Sequence, residues 1–474
     1  MDEQDRPFDA RRAGVLLHVT SLPGRAPSAG SSSGDLGDAA YRFVDFLAAA
    51  GCSVWQLLPL VPTHPEEGSP YNALSAMAGN AALISRQHQV AHGLEEPSAL
   101  SEPQQSAFAS WCAAQEGWLE PYVEFTALRE LHDHAPWLTW APGLRDRDPQ
   151  AVAEALARLT DRVQSLRFEQ WVFAVQWARL REYAASRGVL LFGDLPIFVS
   201  LDSADVWASR ELYQLGEDGR PTTVSGCPPD YFAADGQRWN NPHYDWATVA
   251  ADGFAWWRRR IARQRELFDL VRIDHFRGLE AAWHVPADAP TARDGRWVPG
   301  PGAEILSVLV DTAGPGTLVA EDLGVITPEV EELRTRFGLP GMKVLQFAFD
   351  GEPDNGYLPR HHGEQNVVYT GTHDNDTTAG WWQLSDEETR DQVRSCLSDP
   401  AEPMPWALIR LALESTARLS VVPAQDLLGL GSESRMNTPG TAAGNWTWRA
   451  PAGAFDDRLA ERLHALVAAS DRIV

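Results

Sequence analysis

Eight short apolar runs, several of them separated by segments with helical periodicity, constrain the fold of this chain more than any other feature. Apolarity within each run is continuous rather than alternating, which is typical of parallel strands buried on both faces. Repeated alternation of strand and helix predicts an α/β fold, a (β/α)8 TIM barrel. The runs are Val15–Val19, Val54–Leu60, Val189–Ile197, Leu270–Phe276, Thr317–Leu323, Met342–Phe349, Val367–Thr372 and Val421–Leu430.

The intervening segments carry helix patterns and helix start signals. Apolar residues recur at helical spacing over Leu36–Leu47 and over Phe168–Ala178. Thr327 precedes Pro-Glu, which is the pattern of an N-cap followed by a first-turn proline and a dipole-matched acid. Ser385 with Glu388 matches a capping box. These patterns predict helices on the outside of the barrel.

The chain is longer than a barrel requires. A barrel takes about 250 residues, whereas this chain has 474. The longest gaps follow the second and third runs. We therefore predict a single catalytic barrel domain over residues 1–474 with large, mainly helical insertions after strands 2 and 3. They cover approximately 61–188 and 198–269, leave from the catalytic end of the strands and form walls around the site.

Charge and cysteine content narrow the classes of partner and compartment. A net charge of −25 disfavours binding to nucleic acid or to anionic membranes, whereas a neutral polymer is indifferent to it. The N-terminus has no apolar signal region, and no apolar stretch is long enough to cross a bilayer. A reduced cytoplasmic protein is predicted because the four cysteines are scattered, with no CxxC and no zinc-type spacing. They are Cys52, Cys112, Cys227 and Cys396.

Three acidic residues are the candidate catalytic groups. Asp274 in VRIDHFRG, Glu321 in LVAEDLG and Asp374 in YTGTHDND each follow an apolar run. The carboxyl ends of barrel strands build the active site in this fold. Two carboxylates flanking a bond are the minimal equipment for cleaving a glycosidic linkage, and a third can hold sugar hydroxyls. The sequence therefore predicts a glycoside-cleaving site at these strand ends.

Each acid has a catalytic and a structural interpretation. Strand alternation places Arg272 and Asp274 on one face, about 7 Å apart along the strand. A nearby arginine lowers a carboxyl pKa, which suits a nucleophile, but a buried ion pair that only holds the barrel is the alternative. Glu321 against apolar walls suits an acid catalyst, or a cap of the next helix. Asp374 with His373 could bind vicinal hydroxyls, or a metal.

Eight segments along nearly the whole chain resemble one known family. They resemble the 4-α-glucanotransferases (amylomaltase, or disproportionating enzyme), which form glycoside hydrolase family 77 of the α-amylase clan. The last segment is long and specific, so a chance match across all eight is implausible. The segments are SPYNALSAMAGN (69–80), FGDLPIFVS (192–200), PPDYFAADGQRWNNPHY (228–244), VRIDHFRGLEAAWHVP (271–286), AEDLGVITPEV (320–330), LQFAFDG (345–351), YTGTHDNDTTAGW (369–381) and QDLLGLGSESRMNTPGTAAGNWTWR (425–449).

The resemblance implies a role for each acid. Asp274 would be the nucleophile, Glu321 the general acid/base and Asp374 the transition-state stabiliser. No metal and no organic cofactor is implied. Substrate contacts are implied for Tyr71, Asp194, Arg272 and His373. They are also implied for Asp230 and Trp239, which lie on the loop between the third and fourth strands that covers bound glucan in this family.

The implied reaction is transfer of α-1,4-glucan segments to the 4-hydroxyl of an acceptor glucan or glucose, by retaining double displacement. Maltooligosaccharides and α-1,4-glucans would be its partners, and a monomer is favoured. A hydrolase of the same clan stays as the alternative, because the three acids do not decide between water and a sugar acceptor. Metal-dependent chemistry using His18, His275 and His373 is disfavoured, since no HxH or HxxxH pair occurs at strand ends. Gly68 and Cys227 depart from the family pattern in substrate loops.

Overall fold

The structure is a computed structural model that describes residues 8–24, 33–229, 234–441 and 443–474. Within these ranges the chain forms twelve strands, of which eight build a barrel and four build a smaller sheet. The strands are β1 (Arg12–Leu16), β2 (Val54–Gln56), β3 (Leu190–Pro196), β4 (Thr223–Cys227), β5 (Gln237–Pro242), β6 (Leu270–Asp274), β7 (Ala281–Pro286), β8 (Arg296–Pro299), β9 (Leu318–Ala320), β10 (Gly341–Val344), β11 (Asn366–Tyr369) and β12 (Leu419–Pro423).

Sixteen α-helices occur in the same ranges, and none of them is both long and apolar enough to cross a membrane. Most of them follow or precede a barrel strand. They are α1 (Asp38–Ala49), α2 (Arg86–Ala91), α3 (Glu102–Leu131), α4 (Pro142–Arg145), α5 (Pro149–Leu156), α6 (Thr160–Ser186), α7 (Ala204–Ala208), α8 (Trp246–Ala251), α9 (Ala255–Leu267), α10 (Ala303–Ala313), α11 (Pro328–Arg336), α12 (Thr378–Leu384), α13 (Glu387–Cys396), α14 (Trp406–Glu414), α15 (Ala424–Leu427) and α16 (Asp457–Ala469).

The eight parallel strands close on themselves in the order β10-β11-β12-β1-β2-β3-β6-β9. The amide of Ala320, at the end of β9, donates to the carbonyl of Pro340, just before β10, at 2.9 Å and joins the two outer strands. This is the (β/α)8 barrel predicted from the eight apolar runs, and every run contributes one strand. The last run, Val421–Leu430, also contains α15.

Two apolar layers hold the barrel. One cluster contains a residue from each of the eight strands and fills the interior: Leu16, Val54, Phe192, Leu270, Val319, Met342, Val367 and Leu419. A larger cluster, with Val15, Trp55 and Leu191, packs the outward strand faces against the helices. Burial on both faces explains why the strands read as continuous apolar runs rather than as alternating ones.

The chain between β2 and β3 is helical and contains α2 to α6, whereas the chain between β3 and β6 is less helical than predicted. It holds β4 and β5, which pair with β7 and β8 from the segment after β6 in an antiparallel sheet ordered β5-β4-β7-β8. The sequence did not predict this sheet, because β4 and β5 carry no apolar run and β5 is polar and ends in a proline.

Helix starts follow the sequence patterns with one shift. Thr327 is the N-cap of α11, as predicted. The N-cap of α13 is Asp386, whose carboxylate accepts from the amide of Thr389, rather than Ser385. The Ser385 hydroxyl donates to the carbonyl of Trp381 instead. Both residues are good caps, and the chain uses the acid that begins the helix one residue later.

Candidate active site

Three neighbouring barrel strands bring the first two acids together. On β3 and β6, Asp194 lies in register with Arg272, and Pro196 with Asp274. On β6 and β9, Ile273 lies in register with Ala320, so Glu321 follows beside Asp274. Carboxyl ends of parallel strands meet at one face of the barrel, so these polar side chains converge where the apolar interior stops.

Arg272 joins two carboxylates at this face. Its Nη1 donates to both carboxylate oxygens of Asp194, at 2.9 and 2.7 Å, and lies 2.9 Å from Oδ1 of Asp274. Ile273 is fully buried on the opposite strand face, as the alternation predicts. Burial lowers the pKa of Arg272, but Asp194 and Asp274 together raise it well above its ordinary value. The guanidinium therefore stays charged and fixes both carboxylates.

Tyr71 extends this network toward the loop after β11. Its hydroxyl donates to Oδ2 of Asp194 at 2.6 Å. Its ring stacks on the His373 imidazole with centroids 5.1 Å apart and an interplanar angle of 11°. Burial and the Asp194 carboxylate raise the pKa of Tyr71 well above its ordinary value, so the phenol remains a hydrogen-bond donor. Tyr71 thus links two residues that sequence analysis placed at the site separately.

Glu321 is held by backbone donors on both of its oxygens. Oε2 accepts from the amide of His275 at 2.7 Å, and Oε1 accepts from the amide of Leu323 at 3.0 Å. The side chain is buried and follows β9 directly. The alternative in which Glu321 caps the next helix is wrong, since Thr327 is the N-cap of α11.

Burial dominates the ionisation of the two central carboxyls. It raises the pKa of Asp274 to about 8, against the opposing effect of Arg272 and with the help of Asp194, Glu321 and Asp374. Burial also raises the pKa of Glu321, although Arg272 and the two amide donors oppose the shift. The expectation that Arg272 brings the pKa of Asp274 below its ordinary value is therefore wrong. Both shifts in pKa favour retention of a proton by this pair of carboxyls.

Asp374 is held from the far side of the barrel mouth. The side-chain amide of Asn437 donates to Oδ1 of Asp374 at 2.6 Å, and Arg435 Nη2 donates to the Asp374 carbonyl at 2.7 Å. The amide of Asn437 also donates to the carbonyl of His373 at 3.1 Å. Nε2 of His373 lies 3.3 Å from Oδ2 of Asp374. Arg435 and Asn437 were not singled out from the sequence, although they lie in its longest family-like segment.

Trp239 lies in β5 of the smaller sheet rather than in a loop. Its ring meets the His275 imidazole edge to face, with centroids 4.8 Å apart at 87°, and packs near Phe198. Because His275 follows Asp274 directly, Trp239 lies near the candidate site, and its role as a substrate contact stays a prediction. Asp230 lies outside the described residues.

The histidines at the site are shielded from solvent, with His18 and His373 buried and His275 half-buried, which favours neutral rings. Burial lowers the pKa of His18 to about 3 and that of His275 to about 3. Burial also lowers the pKa of His373, against the opposing effect of Asp374. Within the described ranges, no three His, Cys, Asp or Glu side chains are grouped in a way that could hold a metal ion.

Replacing Tyr71 by phenylalanine tests the link between Asp194 and the His373 ring. The change keeps the stacked ring but removes the donor to Asp194, so Asp194 loses one partner while keeping Arg272. We expect kcat/KM to fall by roughly tenfold, in line with the loss of one hydrogen bond to a charged group. Steady-state kinetics measure this. Tyr71→Ala, which also removes the stack, should cost more; equal losses for both variants would contradict a separate contribution of the hydroxyl.

Comparison with known proteins gives a consistent result. The family model described as 4-alpha-glucanotransferase matches residues 17–102 and 88–454. The 4-alpha-glucanotransferase of Thermus thermophilus is 45% identical over 98% of this chain and 99% of its own length. The chloroplastic/amyloplastic 4-alpha-glucanotransferase of Solanum tuberosum is 40% identical over 98% of this chain and 87% of its own length.

A solved structure agrees with these sequence relatives. Amylomaltase from Streptococcus agalactiae in complex with acarbose superposes with a TM-score of 0.92 at 31% identity, and the match covers 98% of this chain and 99% of that one. The barrel, the carboxyls at its strand ends and these similarities agree, and the chain belongs to the 4-alpha-glucanotransferase family, a family of glycosyltransferases.

Proposed function

We propose that this 4-α-glucanotransferase works by retaining double displacement, with Asp274 as nucleophile, Glu321 as general acid/base and Asp374 as transition-state stabiliser. The contact of Arg272 with both Asp194 and Asp274, beside a Glu321 fixed by two backbone amides, carries this proposal. In this arrangement the Asp274 carboxyl is oriented by a cation, and the Glu321 carboxyl is oriented by neutral donors. Retention requires that these two carboxyl groups lie about 5–5.5 Å apart.

In the first step Asp274 attacks the anomeric carbon of the donor glucan. An Asp274 oxygen forms a bond to that carbon as the bond to the leaving oxygen breaks, and Glu321 gives its proton to this oxygen. Arg272 supports attack because its contact favours the ionised form of Asp274. Burial of Glu321 favours its protonated form at the start of the step.

In the second step an acceptor glucan or glucose replaces the first leaving group. Glu321, now a carboxylate, takes the proton from the acceptor 4-hydroxyl, and the acceptor oxygen displaces Asp274 from the anomeric carbon. Two inversions give retention. The enzyme returns to its initial protonation state with one α-1,4 bond broken and one formed.

We propose that Asp374, His373 and Tyr71 bind the sugar ring. The Asp374 side chain is 44% exposed at the barrel mouth, so it is available to sugar hydroxyls. Its Oδ1 also accepts a hydrogen bond from the side-chain amide of Asn437. Contacts that strengthen as the ring flattens accelerate the reaction, whereas equal contacts to substrate and transition state do not. We propose Asp194, Asp230, Trp239 and Arg272 as the remaining substrate contacts.

Incubation with pure maltotriose separates transfer from hydrolysis. Transfer redistributes glucose units, so we expect glucose, maltose and longer maltooligosaccharides with no change in the number of reducing ends. Chromatography of the products and a reducing-end assay on the same samples measure this. Rising reducing ends without longer products would mean that water is the main acceptor, and the transfer mechanism would be wrong. Activity is expected to survive EDTA.

The pH profile of transfer should be bell-shaped. Asp274 must be ionised and Glu321 protonated, so activity requires that the pair hold one proton. Because the pKa of Asp274 is raised to about 8, activity is expected to fall as pH rises through about 8, when the shared proton is lost, and to fall again at acidic pH when both are protonated. Initial rates across pH, with unfolding measured at each pH, give the profile. A rate that stays flat to pH 9.5 in folded enzyme would contradict the shared proton.

The surroundings of the site complete the proposal. We propose that the segments at approximately 61–188 and 198–269 wall the active site, and that the enzyme acts as a monomer in the cytoplasm on glycogen- or starch-type glucans. No disulfide bond joins any of the four cysteines, all of which lie in the described part of the chain, and this supports a reducing compartment. Light scattering on the purified chain tests the monomer.

A further inference from the structure

One buried carboxylate outside the catalytic group is tied to the catalytic loop. Asp426 lies in α15, directly after β12, and exposes 1% of its surface. Oδ1 accepts from the amide of Thr378 at 2.7 Å. Oδ2 accepts from the hydroxyls of Thr370 and Thr378, each at 2.6 Å. Its hydrogen-bond partners in the described part of the chain are therefore neutral groups.

These two threonines stand at the two ends of one loop. Thr370 follows β11 directly, and Thr378 is the first residue of α12. Between them, residues 371–377 include His373 and Asp374, the proposed contacts to the sugar ring. Asp426 thus joins the start and the end of the loop to the neighbouring strand β12. When both ends of the loop are hydrogen-bonded to the Asp426 carboxylate, the loop has little freedom to displace the Asp374 carboxylate at its tip.

Burying the Asp426 carboxyl costs free energy that a purely structural position would not require. Burial raises its pKa, against the opposing hydrogen bonds from Thr370 and Thr378. A buried carboxyl without a cation costs free energy that an apolar residue of similar size would not. In return, one carboxylate accepts three hydrogen bonds from two places in the chain, which no apolar side chain can do. Such strained or expensive groups concentrate at functional sites.

We propose that Asp426 is a positioning residue for glycosyl transfer: it clamps the 371–377 loop between Thr370 and Thr378 so that Asp374 and His373 meet the sugar in the transition-state geometry. This inference rests on the proposed role of Asp374. Other contacts reach the loop at its tip, where Arg435 and Asn437 bond to Asp374 and His373. Gln346 and Ser432 bond to Asp376 near its end. Among these described contacts, Asp426 is the group that bonds to both ends of the loop.

The test compares Asp426→Ala, Asp426→Asn and a control at the other end of β11. His362 is buried and bonds to Ser415 and to the carbonyl of Tyr357, below the start of β11 and away from the loop. His362→Phe is therefore expected to lower the unfolding temperature without changing kcat. Asp426→Ala is expected to lower kcat on maltotriose by about a hundredfold while KM changes less than about threefold, because a misplaced Asp374 loses transition-state contacts more than ground-state ones.

The conservative variant should rescue most of the activity. Asn at position 426 can still accept the Thr378 amide through Oδ1, and the two threonine hydroxyls can turn to accept from its amide group. We expect kcat for Asp426→Asn within about tenfold of the parent. If Asp426→Ala does not fold, Thr370→Val and Thr378→Val each remove one hydroxyl at constant shape and are expected to lower kcat about threefold to tenfold.

Two outcomes would overturn the inference. One is a kcat within about threefold of the parent for Asp426→Ala or, where it does not fold, for both valine variants. The other is an equal loss of kcat in His362→Phe at a matched unfolding temperature, which would mean that general destabilisation is the cause. Asp374→Ala keeps the two proposals distinct. If it is inactive while Asp426→Ala is fully active, only the role of Asp426 fails; if Asp374→Ala retains full activity, the proposed role of Asp374 is itself wrong.

Discussion

Asp274→Asn is expected to lower transfer activity more than about a thousandfold, because an amide oxygen is too weak a nucleophile to displace the leaving glucan. The change is nearly isosteric. Asp194 still engages Arg272 through both of its oxygens, so the guanidinium keeps a partner. The measurement is disproportionation of maltotriose by an enzyme whose fold is checked by circular dichroism. Retention of more than about one per cent of the parent rate would contradict the assignment of Asp274 as nucleophile.

The same substitution is expected to stabilise the fold, with a dependence on pH that has a defined sign. The pKa of Asp274 is about 8 in the folded chain, against an ordinary value of about 4 for an unfolded aspartate. Between these values the folded chain binds a proton that the unfolded chain has released, so the parent loses stability as pH rises from about 4 to about 8. Asparagine does not titrate. We expect Asp274→Asn to raise the free energy of unfolding by about 1–2 kcal/mol at pH 8 and by less at pH 5.

Asp374→Asn is the matched comparison for stability. The Asp374 side chain is 44% exposed, whereas that of Asp274 is 26% exposed and contacts Arg272. Neutralising Asp374 therefore removes a smaller free-energy cost of burying charge than neutralising Asp274 does. We expect a large loss of activity in both variants but a gain in stability for Asp274→Asn alone. Urea unfolding at pH 5 and pH 8 decides this. A stability gain that is equal at the two pH values would contradict the raised pKa as its cause.

The barrel could be predicted from the sequence because its physics is local. Each strand is buried on both faces, so a run such as Leu318–Ala320 shows continuous apolarity without reference to distant residues. The acids that follow Ile273 and Ala320 were visible for the same reason: they interrupt an apolar run at its carboxyl end. Alternation along β6 then placed Arg272 beside Asp274 on one face, and the structure confirms this.

Features that depend on contacts across long stretches of chain could not be predicted in this way. Asn437 reaches Asp374 across 63 residues, and Asp426 reaches Thr370 across 56. No periodicity or spacing connects such positions. The direction of the pKa shift on Asp274 was missed because sequence shows the neighbouring Arg272 but not the depth of burial, which outweighs it.

Arg472, two residues from the end of the sequence, is the clearest case of a structural role hidden from sequence. No motif or apolar pattern in the sequence marked it. The side chain is fully buried, and each of its five N–H groups donates to a backbone carbonyl. The acceptors are Leu413 (2.6 Å), Arg12 (3.0 Å), Arg418 (3.3 Å), Ser415 (2.7 Å) and Ala417 (2.9 Å).

These carbonyls lie where β1 and β12 begin and where α14 ends, at the face opposite the catalytic one. Arg472→Met is expected to lower the free energy of unfolding by about 3–5 kcal/mol, because methionine fills much of the volume but leaves several buried carbonyls without a donor. Arg472→Lys should recover only part of this, since an ammonium group has three donors and no planar fork. Urea unfolding measures both.

Arg458→Met provides the control, since Arg458 is exposed on α16 and the substitution is the same. It should change the free energy of unfolding by less than about 0.5 kcal/mol. The Arg472 variants should also keep their specific activity at temperatures where they remain folded, because function in this fold lies at the carboxyl ends of the strands and the opposite face serves stability. A loss below about 1 kcal/mol in Arg472→Met would mean that water replaces the guanidinium at those carbonyls, and that the end of the chain does not lock the base of the barrel.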